Sequence, residues 1–306
     1  MVDAALLLLT FLLGALLSRV SLCTVAAAQQ AVGSRDLGGL ARLAIAASAS
    51  GVVLLACAAL APDMMRLPPD LPLGWGIVLG GLALGLGALL NGGCYLGTVL
   101  YLGTGNLNFL FTLVGIGLSL HAAAAWLPLP PASGPGLRMA MGTAWFAGLG
   151  LFALVILAVF YARRARGLWV ALSAGVLAGF VFARQPGWSY GTVLAALIRA
   201  GAHPPALRST AAALVLFGGA IGGAVLSGRF RVQAPAAVRA LRCLVGGAIM
   251  GFGAALVPGG NDNLLLWAIP GLAAYGFLAY GMMLASILAA FALAACWPRT
   301  ARARAQ

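Results

Sequence analysis

The chain has 306 residues, of which 63% are hydrophobic and 8% charged, with a mean hydropathy of +1.05 and a formal net charge of +13. A water-soluble domain carries roughly a quarter of its residues as charges, so a soluble globular protein is excluded. The positive charge is all arginine, lying mainly between apolar runs, which assigns it to membrane topology rather than nucleic-acid binding.

Apolar stretches long enough to cross about 30 Å of hydrocarbon follow one another along the whole chain. Runs such as 170–181 and 284–295 are continuously apolar. Barrel strands alternate, so helices are expected. In chain order the expected spans are 4–31 (interrupted), 39–61, 74–103 (interrupted), 106–127, 142–162, 167–200 (interrupted), 206–227, 240–269 (interrupted) and 271–297, about nine in all. The segment 2–17 carries Asp3 and no basic leader, so it reads as a first membrane element. Connectors fall at 62–72, 128–135 and 229–235, where Pro, Gly and Arg collect.

With an odd number of spans the termini lie on opposite sides. Placing the C-terminus inside puts Arg35, Arg42, Arg163, Arg164, Arg166, Arg229, Arg231, Arg239, Arg242, Arg299, Arg302 and Arg304 in the cytoplasm. The outside then holds Arg66, Arg138, Arg199 and Arg208 with Asp3, Asp63, Asp70 and Asp262. That asymmetry predicts a periplasmic N-terminus and a cytoplasmic C-terminus in the inner membrane.

Gly80-Gly81 and Gly85-Leu86-Gly87-Ala88 recur as Gly246-Gly247 and Gly251-Phe252-Gly253-Ala254, at an offset of 166. The same offset puts Gly93 on Gly259 and Cys94 on Gly260, while Gly14 and Arg19 match Gly179 and Arg184 at 165. The expected organisation is one integral-membrane domain of two halves, 1–128 and 167–298, joined by the span 142–162. The odd joining span makes the halves antiparallel, an inverted pseudo-two-fold repeat whose substrate site would lie near mid-membrane at broken helices. The breaks fall at 19–24 with 184–190, and at 91–94 with 258–263.

Arg19 and Arg184 are charges inside apolar segments, and such charges favour an anionic substrate through forked donors; the alternative is snorkelling to an interface. In Asn91-Gly92-Gly93-Cys94 the glycines permit a sharp break. A helix starting near Cys94 would aim free N–H groups at an anion; the alternative is a packing contact with a buried thiol. In Pro258-Gly259-Gly260-Asn261-Asp262-Asn263, Asp262 reads as a helix cap, with an arginine partner or a proton carrier as the other roles. Cys23 lies a few residues beyond Arg19 and could share its cavity, or be a small residue in a packed helix. Cys57, Cys243 and Cys296 read as packing residues, His121 and His203 as interface or loop residues, and Trp75, Trp126 and Trp297 as aromatic belts.

The five cysteines form no CxxC pair, so neither a disulfide framework nor a zinc site is expected. No Walker A, metal cluster or hydrolase triad is present in the sequence, so neither an enzyme nor a cofactor is expected.

On Gly85-Leu86-Gly87, Gly93-Cys94-Tyr95-Leu96-Gly97, the preceding Arg19-Val20-Ser21-Leu22-Cys23 and the repeated Gly251-Phe252-Gly253-Ala254, the chain resembles the YeeE/YedE sulfur-transport family over nearly its whole length. The resemblance implies an hourglass of about nine spans with short broken helices. It also implies thiosulfate uptake, the anion passing between thiols by weak S–H···S hydrogen bonds. Cys23 and Cys94 would be two of those thiols. The family's further cysteine, in the second half, falls on Gly260, where Asn261 and backbone N–H groups would complete the path.

The expected substrate path is therefore Cys23, Cys94, Arg19, Arg184, Asn91, Gly93, Gly260, Asn261 and Asp262. The partners are a small inorganic sulfur anion, the lipid bilayer and a cytoplasmic sulfur-carrier protein, with no nucleic acid. The alternatives are a sulfur-delivery subunit forming a persulfide on Cys94, and a permease for an unrelated small anion.

Overall fold

A computed structural model describes residues 3–61, 66–69, 71–126, 146–162, 167–199 and 207–296. Asp63, Asp70, Arg138, Arg163, Arg164, Arg166, His203, Trp297, Arg299, Arg302 and Arg304 lie outside them, as do the side chains of Arg199 and Cys296 and the start of the joining span at 142–145.

The chain is an all-α, multi-pass membrane protein. In order the helices are α1 (Ala4–Arg19), α2 (Thr24–Gly33), α3 (Gly38–Leu60), α4 (Trp75–Asn91), α5 (Tyr95–Gly103) and α6 (Leu110–Trp126). Then follow α7 (Phe146–Ala162), α8 (Leu168–Arg184), α9 (Tyr190–Arg199), α10 (Leu207–Leu226), α11 (Ala237–Leu256), a turn Asn261–Asn263 running into a π-turn Leu264–Ala268, and α12 (Ala274–Cys296). Seven segments are long and apolar enough to cross a membrane, among them Ala4–Gly33 and Trp75–Gly103 as interrupted spans. Phe146–Ala162 and Leu168–Arg184 are shorter apolar helices. Together they account for the nine expected segments. α11 starts three residues earlier than the sequence predicts, at Ala237 rather than 240. The only β-type contact among the described residues is a bridge between Asn106 and Gln233.

Local chemistry sets the helix ends. Asp3 caps α1, its carboxylate accepting from the Ala5 N–H at 3.2 Å. α4 stops at Gly92, whose φ of +70 suits a residue without Cβ. The Gly92 N–H donates to Leu89 O and the Gly93 N–H to Ala88 O, which closes the carbonyls α4 leaves open.

Lipid supplies no hydrophobic drive between helices, so close backbone approach at small residues must hold them. α4 and α11 cross where Gly87 meets Gly246 and Gly80 meets Gly253. Gly81 lies against Ala279 of α12, and Gly247 against Thr112 of α6. Gly14 packs on Leu216 of α10, and Gly179 on Ser50 of α3. α1 packs on α10 and α8 on α3, while α6 packs on α11 and α12 on α4. α7 lies at the edge against α3, its buried residues being Gly148 and Phe152, with Leu151, Leu154 and Leu157 exposed to the lipid side.

Candidate functional site

The break between α4 and α5 is braced by Asn91, which is fully buried. Its side-chain oxygen accepts from the Thr112 hydroxyl at 2.6 Å, and its amide donates to Gly93 O at 2.6 Å. Thr98 Oγ1 donates to Cys94 O at 3.1 Å. Asn91 is thus spent on backbone geometry. Gly93 is buried between the rings of Tyr101 and Phe109, where a Cβ would stand 3.0–3.2 Å from the ring atoms.

This brace delivers Cys94 to the N-cap of α5, and Cys23 occupies the N-cap of α2. Neither makes a side-chain cap bond. The two sulfurs lie 3.7 Å apart, with Cys94 donating to Cys23, and both residues are at most 1% exposed. Gly97 keeps this space open, since a Cβ there would come within 2.8 Å of Cys23 Sγ. The Gly97 and Thr24 backbone amides and the Asn261 side chain act on the Cys94 sulfur. Two helix N-termini therefore converge on a pair of thiols, where positive backbone ends favour an anion.

The second break supplies the opposite wall. Asn261 Oδ1 accepts the Tyr95 N–H at 2.9 Å, filling a donor that α5 would leave free. Asn261 Nδ2 donates to Thr24 Oγ1 at 3.4 Å, and Thr24 in turn shares a 3.0 Å hydrogen bond with Tyr280. Tyr190 OH donates to Tyr95 O at 3.1 Å, and the two rings stack with centroids 5.4 Å apart. Gly260 takes the N-cap position with φ −82 and ψ −173, the same angles as Cys94. Asp262 sits inside the turn, so the cap is Gly260 rather than the acid that the sequence suggests.

The Tyr95 ring crowds the Gly260 position. A Cβ on Gly260 would stand 2.5 Å from Tyr95 Cγ and Cδ1 and 2.7 Å from Asp262 Oδ1. The backbone angles at Gly260 accept any residue, so the obstacle is steric alone. Gly260→Cys is expected to cost about 1–3 kcal/mol by overpacking, read as a lower thermal midpoint in detergent. Introduced into a Tyr95→Ala background, Gly260→Cys should cost much less than it does in the wild type, and an equal cost in both backgrounds would refute the account.

The structure does not bring Arg19 and Arg184 together. Arg184 ends α8 and pairs with Asp3 at the start of α1, Nε to Oδ2 at 3.7 Å. Arg19 ends α1 next to Val20, which lies against Gly167 at the start of α8. They therefore sit at opposite ends of an antiparallel pair, separated by about 24 Å of helix rise. Both are exposed, and neither enters the hydrogen bonds around the thiols.

Arg239, which the sequence places among the cytoplasmic loop charges, lies at the site. It lies in the first turn of α11, half-buried, with its guanidinium 5.2 Å above the Phe109 ring. A Cβ on Gly92 would be 2.8 Å from Arg239 Nη2, so the cation lies against the backbone of the first break. The Tyr101 hydroxyl feels both the thiols and Arg239. Its only mark in the sequence is an arginine just ahead of an expected span, the usual place of a loop charge.

Cys243 packs on the Asn91 carbonyl at 4.0 Å. No three His, Cys, Asp or Glu side chains converge as a metal site requires among the described residues. An apolar groove between α6, α9 and α10, lined by Leu113, Tyr190, Leu194 and Phe217, approaches the stacked tyrosines from the lipid side. The thiols themselves are enclosed.

Among curated proteins, none matches this chain. The sequence profile of the family described as Sulphur transport matches it over residues 19–208 and again over 139–289.

Proposed function

Because the chain belongs to the Sulphur transport family, we propose that it carries thiosulfate inward across the inner membrane, through a path on which Cys23 and Cys94 contact the substrate sulfur. The observation that carries this is the buried thiol pair, 3.7 Å apart at the N-termini of two half-helices. The amides would hold the oxyanion end and the soft sulfurs the terminal sulfur. Asn261 completes the wall where the family places its further cysteine.

The two halves form an inverted repeat in this reading. Supporting it, repeat-equivalent glycines meet repeat-equivalent partners. Gly14 and Gly179 pack on Leu216 and Ser50, which are 166 positions apart. The N-terminus is periplasmic and the C-terminus cytoplasmic, supported by the arginine asymmetry. The path then runs from the Asp3 and Arg184 side, through the thiols, to Arg239 at the cytoplasmic side.

Proteoliposomes loaded with unlabelled thiosulfate and challenged with labelled thiosulfate test the proposal. Exchange by the purified protein, competed by sulfur anions and not by chloride, is the expected result. A persulfide trapped on Cys94 with no exchange would replace transport by sulfur delivery, and a preference for an unrelated anion would remove the thiols from the mechanism.

Arg239 supplies the positive charge nearest the first break. Arg239→Gln is expected to raise the substrate concentration for half-maximal uptake about tenfold to a hundredfold, with a smaller change in maximal rate, since one charge-assisted contact is worth ~1.5–3 kcal/mol. Arg239→Lys should recover part of the loss by restoring charge without the planar stack on Phe109. An unchanged concentration dependence in Arg239→Gln would remove Arg239 from the path.

A further inference from the structure

Next to Asn261 lies a polar cluster that the thiol pair does not use. Asp262 is 5% exposed and Asn263 is 3% exposed. Asp262 Oδ1 and Asn263 Oδ1 are buried acceptors with no hydrogen-bond donor among the described residues. The Asn263 amide donates to Thr192 Oγ1 at 2.9 Å, and Thr192 shares a 3.0 Å hydrogen bond with Ser189. The Ser189 hydroxyl acts on the Asp262 carboxyl. Thr192 is half-buried, so a string of hydroxyls leads from a partly exposed position to a buried acid.

Among the described residues, no basic side chain acts on Asp262. The titratable groups that feel it are Tyr95 of α5 and Tyr190 of α9, both neutral phenols. The π-turn that follows is met by Ser50 of α3, Phe182 of α8 and Gly276 of α12, and α12 also carries the buried phenol Tyr275 next to Gly276. A carboxylate enclosed in a membrane without a cation is an acid placed to hold a proton. A proton turns it from a pure acceptor into a donor, beside an acceptor that is unfilled.

We infer that Asp262, with Asn263, Ser189 and Thr192 around it, is a proton-binding site that couples sulfur-anion uptake to proton influx. The inference rests on the transport reading above. Asp262 adjoins Asn261, and Tyr190 feels both Asp262 and Cys94, so carboxylate and substrate share one low-dielectric region. An ionised Asp262 repels an incoming dianion. A proton taken from the periplasm onto the carboxylate removes that repulsion, and release to the cytoplasm returns the carboxylate. Nothing is oxidised or reduced. Binding of proton and anion each favours the other, a coupling that typically changes affinity about 5–150-fold.

The test uses the full chain in proteoliposomes with the membrane potential clamped at zero and a pH dye inside. With one proton per anion, an outside medium one pH unit more acid should drive thiosulfate to about tenfold accumulation, with matching internal acidification. Asp262→Asn should take up thiosulfate only to equal concentration and without acidification, and Asp262→Glu should keep the coupling. The inference is overturned if wild-type accumulation ignores the pH gradient, if a sodium gradient at equal pH drives it instead, or if Asp262→Asn accumulates like wild type. The wild-type measurement decides even where a variant does not fold. Wild-type protein that fails to equilibrate thiosulfate at all overturns the transport reading, and the coupling with it. Equilibration without a pH response overturns the coupling alone.

Discussion

Cys94→Ala is expected to cut thiosulfate uptake about tenfold to a hundredfold at subsaturating substrate. The thiol stands at the N-cap of α5, 3.7 Å from Cys23 Sγ and fully buried. Losing a contact to a charged ligand in a buried position costs ~1.5–3 kcal/mol, and each 1.4 kcal/mol is tenfold. Cys94→Ser separates this loss from misfolding. Serine is a preferred cap, and Cys94 makes no cap bond, so the serine variant should be as stable as wild type or more so. Its hydroxyl lacks the soft, polarizable sulfur, and uptake should stay low. A Cys94→Ser protein that takes up thiosulfate like wild type would remove the thiol from the mechanism. Cys23→Ala should act in the same direction.

Gly87→Leu is expected to destabilise the bundle by ~3 kcal/mol or more, above the usual range for overpacking because backbone must give way. A Cβ on Gly87 would lie 2.6 Å from Met250 N and 2.7 Å from Gly246 O. Gly246 in turn lies against the backbone of Asn91, the residue that braces the Cys94 break. Separating α4 from α11 therefore loosens the crossing and the site together. The control is Gly76→Leu in the same helix, where a Cβ would meet nothing within 4 Å. Gly76→Leu should purify as a single species while Gly87→Leu aggregates or loses its thermal transition. Equal behaviour of the two variants would show that the glycine crossing does not hold the bundle.

Uptake of a doubly charged anion into a cell opposes the membrane potential by about 4.6 kcal/mol at 100 mV. A single co-transported proton cancels half of that, and its concentration gradient offsets more. This is why a buried acid one residue from the substrate wall matters to the direction of transport. Thiols alone favour neither direction.

Much of the site was legible as punctuation. Asn91 to Cys94 and 258–263 stood out because Gly and Pro interrupt otherwise unbroken apolar runs, and both are helix breaks in the fold. In the sequence Cys94 lies in the first of these breaks and Cys23 in the break at 19–24. The role of Asn91 was not legible, because an asparagine looks the same whether it faces a substrate or, as here, the Thr112 hydroxyl and its own turn. Arg19 and Arg184 matched in sequence, and that equivalence suggested convergence. In the inverted repeat proposed above, a two-fold axis in the membrane plane would carry equivalent residues to opposite faces unless they lay near the axis, and these two lie at the helix ends.

The sequence by itself determined the solvent, the helical class, the succession of spans and the glycine spacings. Each of these is a local property: apolar length against bilayer thickness, and the backbone freedom or small size of a single residue type. The tertiary structure alone decided that Cys23 meets Cys94 across 71 positions, that Asn261 fills the N–H of Tyr95 across 166, and that Arg239 lies against Gly92. Those contacts depend on how each helix is rotated about its axis and where it crosses its neighbour. One residue turns a side chain by about 100° around a helix, and no composition or period states which neighbour it will face.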